Sequence, residues 1–330
     1  MSKITIEDIS QRTGLSRGTV SRALNDRPDI SVQTKQRVLE ACRQLNYVPS
    51  HAARSLATGR CYAIAAVVDD LRSTFATCFL RGVLARAHSE RYAVHVCELG
   101  PDPQTAIEYL CTVASERVDG LLLTTRLPTS LASRLSTALE TRPMVACSPV
   151  DGVQCDVFSP DYVEAGRLVA RHILPGDTPD VVYVHEAGTE AALQRLAGFQ
   201  EICRERGLAP DSVTVQIPTE GAERLEPLRA RLATVRAVAA DNDFLAIELM
   251  LLCQGMGRVP GRDIAMIGQG NEPAGSHIAP TLTTIDFRGE EIGRRAMDIA
   301  IQRMTKTRQD SPQQTQVAPI LVARETTRLI

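Results

Sequence analysis

The sequence predicts an α/β protein with a small helix-turn-helix head and a bilobed core of two parallel, doubly wound sheets. Three observations carry this. First, the run GLSRGTVSRALN, residues 14–25, places Val20, Ala23 and Leu24 on one helical face and Arg17, Gly18, Ser21 and Arg22 on the other, directly after a glycine break. Second, from Tyr62 to residue 267 short apolar runs alternate with helical stretches in two successive series. Third, residues 1–60 carry ten Lys/Arg against five Asp/Glu, whereas the remaining 270 residues carry 27 against 34. A basic head on an acidic body suggests a module for a polyanion joined to a larger body with another task.

In the head, Thr5 is placed to cap a first helix, with Asp8 three residues on and Ile6 and Ile9 opening its apolar face. Gly14-Leu15-Ser16 breaks that helix, and the Ser16 hydroxyl can accept from the free amides that begin the second. A helix from Arg17 to Leu24 packs one face on the first helix and projects donors from the other, the arrangement a helix needs to enter a DNA major groove. The alternative is an amphipathic helix with merely hydrated arginines. Ser31 caps a third helix carrying Val32, Val38, Leu39, Cys42 and Leu45, which stops before Val48-Pro49. The segment 50–60 is too short to hold as an isolated helix and reads as a conditional one.

In the body, strands are expected at AIAAVV, AVHVC, GLLL and MVAC, with helices at 75–90, 103–117 and 129–140. A second series begins near 160. It has helices at 161–174, 189–206, 221–233 and 243–254 and strands at VVYV, VTVQI, AVAA and IAMI. Ligands in open α/β sheets settle beyond the carboxyl ends of the strands, so two facing lobes define a cleft.

A chain of 330 residues, 44% apolar and 23% charged, has the composition of a soluble globular protein with two or three cores. No apolar run approaches the roughly 18 residues of a membrane span, and MSKITIEDIS has no apolar signal region, so a cytoplasmic location and no membrane partner are expected. Nine cysteines without a CxxC pair read as reduced, packed thiols, with Cys147 and Cys155 as the alternative redox pair. Gly268-Gln269-Gly270 follows a strand, but Pro273 stands where a dinucleotide loop needs its third glycine, and GxxxxGK[ST], GxSxG and HExxH are absent. His185 and His277 read as hydrogen-bonded structure. No enzyme activity, cofactor or metal is expected.

ITIEDIS, GLSRGTVSRALN, LNYVPS and ARSLATGR, in this order and spacing, resemble the lactose-repressor (LacI/GalR) family of bacterial transcription regulators. RVDGLLL, RLAGF, Ala240-Asp241-Asn242-Asp243, DIAMIG and APTLTTI extend the resemblance over essentially the whole chain. It implies a periplasmic-binding-protein-like (type I) core and a homodimer whose binding of a near-palindromic duplex operator is controlled by a small-molecule effector. It also implies a helix-turn-helix domain at 1–48, a hinge helix and linker at 49–60 and a core at 61–330. The core divides into one lobe of about 61–158 with 288–316 and another of about 159–287 with 317–330.

By the same resemblance Arg17, Gly18 and Arg22 occupy base-reading positions. Thr5, Ser16, Thr19, Ser21 and Ser31 are expected to contact phosphates, His51 and Arg54 groove edges or phosphates, and Leu56 to wedge into the minor groove. Gly18 has no side chain to read with, so base choice should rest on the two arginines. The implied effector positions are Phe75, Ser148, Leu193, Asn242, Asp243, Gln269, Gly270, Asn271 and Phe287. Leu193 replaces an arginine of sugar-binding members, Ser148 an acid, and Gly270-Asn271 an acidic pair. A sugar derivative, a sugar acid or a less polar metabolite therefore competes with a simple monosaccharide. The alternative function is a metabolite-binding or enzymatic protein whose head no longer recognises DNA, which Gly18 leaves open.

Overall fold

The computed structural model describes residues 4–24, 27–47, 60–99, 102, 105, 107–109, 111, 112, 118–127, 129–139, 142–174, 180–186, 188–221 and 223–328. The chain forms two compact units, Met1–Tyr62 and Ala63–Ile330.

The first unit contains helices α1 (Ile6–Thr13), α2 (Arg17–Leu24) and α3 (Val32–Gln44). The Asp8 carboxylate accepts from both the amide and the hydroxyl of Thr5, at 2.7 and 2.8 Å, closing the start of α1. Gly14 ends α1 at φ 65°, in the left-handed region that favours glycine. Ser16 accepts from the Thr19 amide at 3.1 Å and Ser31 from the Thr34 amide at 3.2 Å, so a serine opens each of the next two helices. Ile9, Val20, Ala23, Val38, Ala41 and Cys42 form one buried core between the three.

The second unit begins with β1 (Ala63–Val68), α4 (Thr74–Ser89), β2 (Ala93–Glu98), β3 (Leu121–Leu123), α5 (Thr129–Leu139), β4 (Met144–Ala146) and β5 (Asp156–Pro160). It continues through α6 (Tyr162–Ile173), β6 (Val181–Glu186), α7 (Glu190–Glu205), α8 (Pro210–Val213), β7 (Thr214–Ile217), α9 (Arg229–Leu232), β8 (Ala237–Ala240), α10 (Asp243–Gly255) and β9 (Ala265–Ile267). It closes with β10 (Thr284–Asp286), α11 (Gly289–Met304), β11 (Gln314–Val317) and β12 (Ile320–Val322). One all-parallel sheet has the order β11-β5-β4-β3-β1-β2, and the other, also parallel, β7-β6-β8-β9. The antiparallel pair β10–β12 joins the second sheet through a bridge between Ile267 and Thr283.

Some elements differ from the sequence reading. The helix expected at 221–233 is instead a 3₁₀ turn, Glu226–Leu228, followed by the single turn α9, because Gly221 sits at φ 122° and Pro227 lacks an amide to donate. The second series does not begin at 160 with a helix alone: Asp156–Pro160 forms β5 of the first sheet, and β11 pairs beside it in parallel. β5 escapes a hydropathy reading because it begins at an acid. That acid, Asp156, is buried and held by Arg303 at 2.8 and 3.1 Å. Of the helix expected at 103–117, residues 105, 107–109, 111 and 112 are helical and the remainder lie outside the described residues. All nine cysteines are free, and Cys147 and Cys155 are both buried.

Two helix pairs cross through reciprocal glycines, one pair beside each sheet. A Cβ at Gly82 on α4 would fall 2.0 Å from the Glu290 carbonyl oxygen, and one at Gly293 on α11 2.0 Å from that of Phe79. Likewise a Cβ at Gly166 on α6 would fall 1.9 Å from the Arg195 carbonyl oxygen, and one at Gly198 on α7 2.0 Å from that of Val163. Backbone-to-backbone contact of this kind fixes each helix in height and rotation on its sheet.

Candidate functional site

The head presents α2 with Val20 and Ala23 buried against α1 and α3 and with Arg17 and Arg22 outward, their side chains 73% and 54% exposed. Each arginine meets a carboxylate of the head itself. Glu7 on α1 lies 3.2 Å from Arg17 Nε, and Asp29 lies 3.4 Å from Arg22 Nη1. Gly18 is exposed, and a Cβ there would meet only the Ser16 hydroxyl, at 3.8 Å. The Ser16 and Thr19 hydroxyls bond each other at 2.9 Å beside the N-terminus of α2, and Ser31 bonds Thr34 at 2.9 Å at that of α3. Thr5 is exposed and Ser21 half-buried. His51, Arg54 and Leu56 lie outside the described residues.

In the body, the carboxyl ends of the strands carry a second cluster. Arg195 on α7 is 9% exposed and belongs to the RLAGF run. Its guanidinium carbon lies 5.6 Å from the Tyr162 ring centroid and 5.4 Å from that of Phe287, and these two rings meet edge to face at 5.3 Å. Nη2 donates to the Asp241 carbonyl at 3.1 Å, while Nε is buried with no acceptor. Gln269, 2% exposed, donates from Nε2 to the Tyr183 hydroxyl and the Ala240 carbonyl, each at 3.1 Å, and its Oε1 is buried without a donor. The Ser148 hydroxyl, just past β4, is likewise buried and unpaired. Burial pushes both the Tyr162 and Tyr183 phenols up to about 12, so both are neutral at physiological pH. Phe75 packs against the cores of both sheets.

Other expected effector positions serve the scaffold. Asp243 is fully buried: Oδ1 accepts from the Thr284 hydroxyl and Oδ2 from the Glu272 amide, both at 2.7 Å, so no acceptor faces outward. Burial raises its carboxyl to about 6. Asn271 is held between Arg324, which donates to its Oδ1 at 2.7 Å, and Asp286, which accepts from its Nδ2 at 3.1 Å. Asn242 caps α10 by accepting from the Leu245 amide at 2.8 Å and donates to Asp241 at 2.8 Å. Gly270, at φ 130°, lets the chain turn past Asp243. Leu193 stands on the exposed side of α7, 56% exposed, away from Arg195.

The sequence reading had not singled out Arg195, Tyr162, Tyr183 or Asp241 as site residues. Arg195 carried a signal, since it begins a run already noted for its resemblance. Asp241 carried the same kind of signal, lying in the run Ala240-Asp241-Asn242-Asp243, whereas Tyr162 carried none, because its closeness to Arg195 follows from how α6 packs on α7. Bonds among the described residues cross between the sheets' flanks: the Thr74 hydroxyl donates to the Glu272 carboxylate and Arg126 to Glu190, with Arg126 also 3.0 Å from Asp151. Among the described residues no group of three or more His, Cys, Asp or Glu is arranged to hold a metal ion, and no helix is long and apolar enough to cross a membrane.

Residues 5–50 match the family model of bacterial regulatory proteins, lacI family, and residues 177–327 that of the periplasmic binding protein-like domain. The ribose operon repressor of Escherichia coli (strain K12) is 29% identical over 328 residues, covering 97% of this chain and 98% of that protein. The HTH-type transcriptional repressor PurR of Haemophilus influenzae (strain PittGG) is 27% identical over 334 residues, covering 99% of each. The lac repressor dimer bound to operator and the anti-inducer ONPF superposes with a TM-score of 0.77 over 99% of both chains, at 22% identity, a likeness of fold.

Proposed function

The chain belongs to the lacI family of bacterial regulatory proteins, and from that premise we propose how its residues divide the work of regulation. It is a DNA-binding transcriptional regulator controlled by a small-molecule effector. We read it as a cytoplasmic repressor that meets a near-palindromic operator as a homodimer. The observation that carries the reading is α2, with one face sealed into a three-helix core and Arg17 and Arg22 on the other. Arginine binds guanine O6 and N7 with two parallel N–H groups, worth about 1–3 kcal/mol of discrimination. Thr5, Ser16, Thr19 and Ser31 at the helix starts, and Ser21 midway along α2, offer small polar groups suited to phosphates. The segment 49–60, with His51, Arg54 and Leu56, is taken as the hinge on resemblance alone.

The effector site is assigned to Arg195, Gln269 and Ser148, whose buried unpaired atoms supply a donor, an acceptor and a hydroxyl, walled by Phe287, Tyr162 and Phe75. Asn242 borders it. One relative is a ribose operon repressor, yet Leu193 points away and Asn271 is committed to Arg324, so few polar grips remain. A sugar derivative, a sugar acid or a less polar metabolite fits this balance of aromatic wall and sparse polar atoms. Effector and operator then couple by linkage through the relative placement of the lobes.

The test is selection of random duplex DNA on the purified protein at near-physiological salt, then titration of the enriched sequence. A near-palindrome held about a thousandfold above random DNA is expected. Absence of enrichment, with and without a cell metabolite extract, overturns the reading. Arg17→Ala should relax one base per half-site, and equal weakening on every duplex would remove Arg17 from base reading.

A further inference from the structure

We propose that Glu7 is a specificity-determining positioning residue for DNA recognition, aiming Arg17 at a base edge and away from phosphates. This rests on the assignment of α2 as the base-reading helix. Arg17 is the first residue of α2, and a long exposed side chain there would sample many rotamers. Glu7, on the first turn of α1, forms an ion pair with it, Oε2 lying 3.2 Å from Nε. A guanidinium has five N–H groups in a fixed planar fork. With Nε the guanidinium nitrogen nearest the Glu7 carboxylate, the two terminal nitrogens remain the pair that meets guanine O6 and N7 end-on.

The pair between exposed groups is weak, so it adds little to stability and opens readily. Its effect falls on the choice between ligands. A phosphate approaching Arg17 from the α1 side meets the Glu7 carboxylate, and like charges repel. A guanine edge approaching from the free side meets two donors already aligned, with less rotamer freedom left to lose.

Asp29 provides the internal comparison. It also pairs with a reading arginine, but at the terminal Nη1 of Arg22, 3.4 Å away, so it occupies part of the end-on fork and does not back it. Removing either acid deletes one negative charge from the same surface. Only Glu7 should therefore govern the fidelity of the base beneath Arg17.

The experiment titrates the parent, Glu7→Ala, Glu7→Gln and Asp29→Ala, as full-length protein, against the enriched operator and its single-base variants. Glu7→Ala should cut discrimination at one base pair per half-site by about five-fold or more and leave the other positions alone. Glu7→Gln, which keeps a polar oxygen at the same reach but not the charge, should recover part of it, and Asp29→Ala should leave that base unaffected. If Glu7→Ala instead tightens binding to every duplex equally with base preference intact, the carboxylate acts only through net charge and the proposal fails. If the parent shows no base preference and Arg17→Ala changes nothing, the assignment of α2 fails, and the positioning role with it.

Discussion

The main chain of Arg195 rests directly on Gly166, where a Cβ would fall 1.9 Å from the Arg195 carbonyl oxygen. That contact sets the height of α7 on α6 and so places the guanidinium over Tyr162 and Phe287. The clash partner is backbone, which a rotamer change cannot move aside.

Gly166→Ala should therefore destabilise the protein by about 3 kcal/mol, the upper part of the range for overpacked cores, and displace Arg195. Urea unfolding of the variant measures the first effect, and effector titration the second. A Gly255→Ala variant, with nothing within 4 Å of the added Cβ, serves as the tolerant control. Parental stability of Gly166→Ala would mean that α6 and α7 separate more easily than their contact implies.

Arg195→Leu removes a buried cation whose Nε has no acceptor, so the variant should keep near-parental stability while losing effector response. A charge-assisted hydrogen bond of about 1.5–3 kcal/mol corresponds to roughly 10–100-fold weaker effector binding. Operator release as a function of effector concentration reads this directly. Unchanged response with a folded variant would move the effector elsewhere.

Asp243 gives stability a pH dependence of defined sign. Its carboxyl is raised from 3.8 to about 6 by burial, so the folded state holds a proton that the unfolded chain has released between those values. The corresponding stabilisation is present below pH 3.8, is lost as pH rises toward 6, and amounts to about 2–3 kcal/mol at full extent. Denaturant unfolding at intervals across that window should show this downward contribution in the parent and not in Asp243→Asn. A slope shared by both proteins would assign it to other carboxylates.

Gly18 lies within α2 with open space around it, so Gly18→Ala should stabilise that helix by about 0.5–1 kcal/mol. Slower amide exchange across α2 in the full-length protein is the readout. Faster exchange would indicate that the backbone at residue 18 is not held in helical geometry.

Much of the fold was legible because its signals are local. Ser16 and Ser31 announce helix starts by side chains that reach their own next turn, and AIAAVV, VVYV and AVAA announce buried strands by being apolar throughout. β5 was not legible, since a strand beginning at Asp156 is tolerable only where Arg303, 147 residues later, neutralises it. The 221–233 stretch misled in the opposite way: its helical spacing is real, but Gly221 and Pro227 limit it to two short turns.

For function, the sequence by itself determined the class of machine and that Arg17 and Arg22 stand on the exposed side of α2, because that helix keeps both its core face and its exposed face within eight residues. It could not determine which polar groups of the body remain available to a ligand. Asp243 and Asn271 resemble ligand grips in sequence, yet Thr284, Glu272, Arg324 and Asp286 consume their hydrogen-bonding capacity. That Arg195 Nε, Gln269 Oε1 and the Ser148 hydroxyl are buried without a partner emerges only once α6, α7, β4 and β9 are packed. Whether a buried polar atom is satisfied depends on neighbours distant in sequence, and only the tertiary structure supplies them.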